Sequence, residues 1–106
     1  SWFAAVYEPE FAVVIITITA QPQDASVYLG VGAELSVTAE ASSGTLSYQW
    51  YSNTVNTNSG GTAITGATSA TYTTDDTAVA GTYYYYCVVS QGSTAVTTNV
   101  ISVTVS

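Results

Sequence analysis

Beyond residue 16 the chain repeats one pattern: short runs of alternating apolar and polar residues, cut about every eight to twelve residues by turns rich in Gly, Pro, Asn or Ser. No segment keeps apolar residues at helical spacing for a useful length. Successive side chains of a strand stand on opposite faces, so the pattern predicts strands with one buried face. Ser47-Tyr48-Gln49-Trp50-Tyr51 shows it most sharply. Tyr48 and Trp50 share one face, Gln49 and Tyr51 the other, and Trp50 reads as the plug of a core. From Glu34 to Ala41 the residues Leu35, Val37, Ala39 and Ala41 face inward, against Ser36, Thr38 and Glu40. From Thr82 to Ser90, Tyr83, Tyr85, Cys87 and Val89 face one way, Tyr84, Tyr86 and Val88 the other. With 106 residues the chain can bury one two-layer core, and the expectation is an all-β sandwich.

The remaining segments fit around these strands. Phe11 to Ala20 (FAVVIITITA) is the most β-branched run, apolar on both faces as far as Ile16, as expected of a strand covered on two sides. Gln21 to Asp24 is a turn or strand kink, after which Ser26 to Leu29 resumes extended structure. Asn53 to Gly61 is polar and aperiodic, a surface loop. Thr62 to Thr65 reads as a short edge strand, Ser69 to Thr74 as a strand with Ala70 and Tyr72 on one face, and Thr94 to Ser106 as one long final strand.

Lys, Arg and His are all absent, so the seven acidic residues have no cationic side-chain partner. A surface without cations cannot neutralise phosphates, which excludes nucleic-acid binding and electrostatic attachment to anionic membranes. Eighteen threonines and thirteen serines meet the water instead, in a strand-favouring composition. Catalysis has little to work with: no His or Lys, and a Cys87 without a base or a neighbouring cation. Asp75-Asp76 and Glu8-x-Glu10 belong to no recognisable cleft motif, and no D-x-D-x-D-G calcium loop exists. The chain reads as non-enzymatic, with no cofactor and no metal. Cys87 has no internal partner for a disulfide, which leaves a small buried core residue or a bond between chains. Tyr84 and Tyr86 would stand on an outward face, where they are cross-strand packing or a stacking surface for sugar.

Tyr48-Gln49-Trp50-Tyr51, Gly60-Gly61-Thr62-Ala63-Ile64, Gly66-Ala67-Thr68, Gly81-Thr82-Tyr83 and Cys87-Val88-Val89 together resemble a bacterial immunoglobulin-like domain of secreted or cell-surface proteins. The resemblance covers roughly Ile16 to Ser106. It implies a two-sheet sandwich centred on Trp50, with Cys87 at the sixth-strand cysteine position. Ala39, or Val37, stands where disulfide-bearing members carry the second cysteine. Tyr85, two residues before Cys87, matches the corner tyrosine that bonds back to the backbone, with Tyr83 as its rival. It also implies a secreted, extracellular or cell-surface location, the targeting segment having been removed and no membrane-inserted segment remaining.

Nothing in that resemblance matches residues 1–15, which form an apolar N-terminal arm ahead of a domain at 16–106. Trp2, Phe3, Val6, Tyr7, Phe11 and Val13 would bury several hundred Å2 against a partner, roughly 10 kcal/mol at about 25 cal/mol per Å2 before ordering costs. Fifteen extended residues reach about 50 Å, enough to cross into a neighbour. The expectation is a structural subunit of an extracellular filament, a homopolymer in which each arm adds a strand to the next copy. Two alternatives stand beside it. One is an adhesive module touching glycan or a host surface through the loop Asn53 to Gly61 and exposed tyrosines; the other is a spacer repeat of a longer surface protein, although linkers are usually polar.

Overall fold

The computed structural model describes residues 13–75 and 77–106. Among the described residues ten strands follow in order: β1 (Ile16–Ala20), β2 (Ala25–Val27), β3 (Glu34–Ser36), β4 (Thr38–Ala41), β5 (Ser47–Asn53), β6 (Thr62–Ala63), β7 (Thr71–Thr73), β8 (Gly81–Gln91), β9 (Thr94–Thr97) and β10 (Ile101–Val105). One layer runs β2-β10-β8-β5-β6, with β9 also paired to β8. The other is built from β1 on β4 and β3 on β7; only Val37 separates β3 from β4, so the two ladders share a layer. The molecule is an all-β, two-layer sandwich.

The inner faces follow from the alternation. Ile16, Leu35 and Val37 of one layer meet Trp50, Tyr85, Cys87, Val89, Ile101, Val103 and Val105 of the other, all buried. Trp50 lies opposite Cys87 in the β5–β8 register, and neither exposes any surface. Its indole N–H donates to the Ser69 carbonyl at 2.8 Å, and its ring stacks on Tyr72 at 6.3 Å. Burying a ring of this size contributes roughly 4–6 kcal/mol before entropy losses. Among the described residues no buried side-chain polar atom lacks a partner.

The first strand changes layers. β1 pairs antiparallel with β4, the chain bends at Gln21–Asp24, and β2 then pairs parallel with β10 in the opposite layer. Pro22, which has no N–H to donate to a ladder, is buried in the bend. The Gln21 and Asp24 side chains hold it there, accepting from the backbone N–H of Asn99 and of Ser102, each at 2.9 Å.

Several sequence expectations need correction. The β-branched run does not form a doubly covered strand from its start: β1 begins at Ile16, Val13 and Ile15 are exposed, and Phe11 and Ala12 lie outside the described residues. Extended structure after the bend ends at Val27, because Tyr28 and Leu29 enter a turn. The last strand is two strands. Val88 faces Thr97 while Tyr85 faces Ile101, so three steps along β8 oppose four along its partner. That extra residue is a bulge. Buried Thr98 fills it, accepting from the Cys87 N–H at 2.9 Å and donating to the Asn99 carbonyl at 3.0 Å. The edge strand after the 54–61 loop is shorter than expected, Thr62–Ala63.

Candidate functional site

The chain enters the sandwich at the pole formed by the β4–β5 and β8–β9 connections, where Gly44 abuts the side chain of Gln91. On β1 the even-numbered Ile16 and Ile18 point to the core and the odd-numbered Thr17 and Thr19 point out. The same parity continues toward lower numbers. Val14 packs partly buried against the core, and the outward stripe changes from threonine to Ile15 and Val13. Ile15 is 60% and Val13 77% exposed. The backbone at this point is tied down on both sides: the Ile15 N–H donates to the Ser42 hydroxyl, and the Ser42 N–H donates to the Ile15 carbonyl, each at 2.9 Å. Beside the anchor lies a shallow hollow of about 240 Å3 lined by Ile15, Thr17, Glu40, Ala41 and Ser42. Of the expected arm residues, only Val13 is described; Trp2, Phe3, Val6, Tyr7 and Phe11 lie outside the described residues. β1 has no second ladder among the described residues, nor do β2, β6 and β7, so each presents an edge.

The opposite pole carries an apolar cluster that sequence reading missed. After β2 the chain makes a turn closed by the Val31 N–H donating to the Tyr28 carbonyl, with Gly30 at φ 81°, a value a type II turn needs at that position. The turn exposes Tyr28, Leu29 and Val31. It is bonded sideways to the β7–β8 connection, Gly30 N–H to the Thr77 carbonyl at 2.8 Å, two residues before exposed Val79. The Leu29 N–H donates to the carbonyl of Ser106 at 3.0 Å, which places the last residue of the chain at this pole. The available signal was Gly30 following two large apolar residues, a turn composition rather than a strand composition.

The tyrosines divide by role. The Tyr83 hydroxyl donates to the Val79 carbonyl four residues upstream at 2.6 Å, a bond back to the backbone of the kind that the resemblance implies for Tyr85 or Tyr83. Tyr85 is buried, its ring tilted against Tyr72 at 6.0 Å. Tyr86 does not stand outward in water: it stacks on Tyr51 at 5.0 Å and 5°, and its hydroxyl accepts from the Gly61 N–H at 2.9 Å. A side chain at Gly61 would strike the Ser52 carbonyl at 2.6 Å, so the close passage of the loop over Tyr86 requires glycine. Half-buried Tyr84 borders a cleft of about 340 Å3 whose other walls include Asn53, Thr54, Gly61 and Thr62. The 54–61 loop beside it is internally braced, Asn53 donating to the Thr57 and Ser59 carbonyls and Asn58 to that of Thr98.

Leu35, Val37, Trp50, Tyr85 and Cys87 are buried in the core, and Ala39 is partly buried against it. Burial pushes the Cys87 thiol from 9.0 up to about 11, a backbone hydrogen bond at Gln49 offsetting part of the shift. A thiol so placed is a poor nucleophile. Asp75 is exposed, and Asp76 lies outside the described residues. No group of three or more His, Cys, Asp or Glu side chains is placed to hold a metal ion among the described residues.

The two layers, the first strand that passes between them and the tyrosine corner define an immunoglobulin-like domain. A chimeric titin Z1Z2 carrying a decorin peptide matches it with a TM-score of 0.60 over 90% of this chain and 98% of the other, at 13% identity. The complex of titin M10 with a mutant immunoglobulin domain of obscurin-like 1 matches with a TM-score of 0.60 over 86% and 92%, at 19% identity. At such identities the likeness is one of fold. The chain itself belongs to the family described as Domain of unknown function (DUF8696), whose model matches residues 16–106. No curated protein matches it.

Proposed function

We propose that this protein is the structural subunit of an extracellular filament of bacterial origin, each copy joined to the next by the apolar residues that precede β1. The observation that carries the reading is the outward stripe at the entry pole: Val13 and Ile15 stand 77% and 60% exposed where the most β-branched run leaves the sandwich. The described residues already supply both layers of the domain, so the arm would lie along a neighbour rather than replace a strand the domain lacks. Apolar surface of this kind invites a partner, and a contact between different faces of identical copies generates a fibre when it does not close. The full chain is expected to form filaments visible by negative-stain microscopy, and a chain lacking residues 1–12 to sediment as a monomer. Deletion at 12 spares Val14 and the Ile15–Ser42 anchor. Filaments from the shortened chain would show that the arm is not the link.

A second reading, an adhesive module, is favoured by the braced loop and the 340 Å3 cleft beside Tyr84. Neutral glycans suit a wall of hydroxyls, amides and tyrosines without cations. Binding on a glycan array that disappears in Tyr84→Ala would support it, and an array without hits would remove it.

A further inference from the structure

We propose that the apolar cluster of Tyr28, Leu29, Val31 and Val79 is the seat for residues 2–13 of a second copy of this chain. The inference rests on the arm-linked filament and adds which surface receives the arm. The exposed large apolar side chains of the described residues fall into a pattern. Val13 and Ile15 lie at the entry pole, and Tyr28 (78%), Leu29 (52%), Val31 (50%) and Val79 (66%) lie at the other, leaving only Val55 on the 54–61 loop. A donor at one end and an acceptor at the opposite end is the arrangement that lets identical copies join head to tail without closing.

Length and direction argue for a neighbour's arm rather than the domain's own. Residues 1–12, at about 3.3 Å each, extend to about 40 Å. The 11 residues of β8 run from one pole to the other, about 36 Å at strand spacing. To reach its own far pole the arm would have to reverse within residues 13–15 and then spend nearly all its length. The paired hydrogen bonds between Ile15 and Ser42 instead hold the backbone on the line of β1, pointing away from the domain. A second copy stacked on that end would present its Tyr28–Val31 turn to the arm directly. The chemistry matches as well: within residues 2–13 the only charged side chains are Glu8 and Glu10, which flank Pro9 and must stay in water, the four cluster side chains are neutral, and the chain has no Lys or Arg to form an ion pair. The contact therefore has to be apolar and backbone-mediated.

The test uses two full-length variants, each defective at one end. L29N/V79N alters only exposed positions of the seat, and W2S/F3S alters the arm. Each alone is expected to sediment as a monomer under conditions where the unaltered chain forms filaments. Mixed in equal amounts, they should give a species of twice the monomer mass and nothing longer, because one intact arm meets one intact seat. Filaments from L29N/V79N together with monomers from W2S/F3S would overturn the seat and leave the arm-linked filament standing. Filaments from W2S/F3S would overturn both. A mixture that stays monomeric, or an unaltered chain that is itself monomeric because its arm covers its own cluster, also overturns the proposal. Circular dichroism checks that each variant is folded, and Y28S/V31S repeats the test if L29N/V79N is not.

Discussion

At the scale of single residues, Cys87 and Tyr83 show what burial and bonding make of a position. Cys87 occupies a half-disulfide site but behaves as a small apolar plug beside Trp50, its thiol raised by burial. Thiol reagents should leave it untouched in the native protein and modify it fully in denaturant. The raised value also makes stability depend on pH. Because the native state holds the proton more tightly, stability is intact below the unfolded thiol's value and falls as pH rises toward the folded one. Between pH 9 and 11 the unfolding free energy should drop by roughly 2–3 kcal/mol relative to Cys87→Ala, measured by denaturant titration. Tyr83→Phe removes the 2.6 Å bond that ties β8 to the preceding connection. It should cost about 1 kcal/mol by the same titration, with unchanged near-ultraviolet circular dichroism.

Strands and turns show how far alternation carries. It located the inward faces of β3, β4, β5 and β8, because along each of these strands the core-facing side chains keep to one parity. It failed where the phase shifts. In the last segment the inward positions are even-numbered from Thr94 to Thr98 and odd-numbered from Ile101, and the adjacent Val100 and Ile101 were the only trace of that slip. A polar Thr98 at a core position hid it, since burial of a hydroxyl depends on partners that composition does not reveal. The same limit left Tyr83 and Tyr85 alike, both inward by parity. It also concealed the Tyr28–Val31 cluster, exposed by a turn and not by periodicity. Thr98→Val keeps the shape of the bulge but deprives the buried Cys87 N–H of its acceptor. The expected loss is about 2–3 kcal/mol in unfolding free energy, larger than for threonine-to-valine changes at exposed Thr17 or Thr104.

For the whole molecule the governing fact is a net charge of −7 without a single cationic side chain. Copies repel one another at long range, so whatever joins them works against that repulsion. Raising NaCl from about 0.02 M to 0.5 M shortens the range of the repulsion several-fold and should speed filament growth, followed by light scattering. Growth that does not respond to salt would mean that this repulsion does not limit assembly. The parallel pairing of β2 with β10 has a mechanical corollary. Tension entering through the leading end of the chain and leaving through Ser106 pulls these two strands along their length in opposite senses, so the bonds aligning Ala25 with Val103 and Val27 with Val105 are loaded together rather than one after another. Stretched end to end in an optical trap, the domain should rupture in a single step at a force well above that of a hairpin pulled open from its tip, which makes this short ladder the clasp that a strained fibre would depend on.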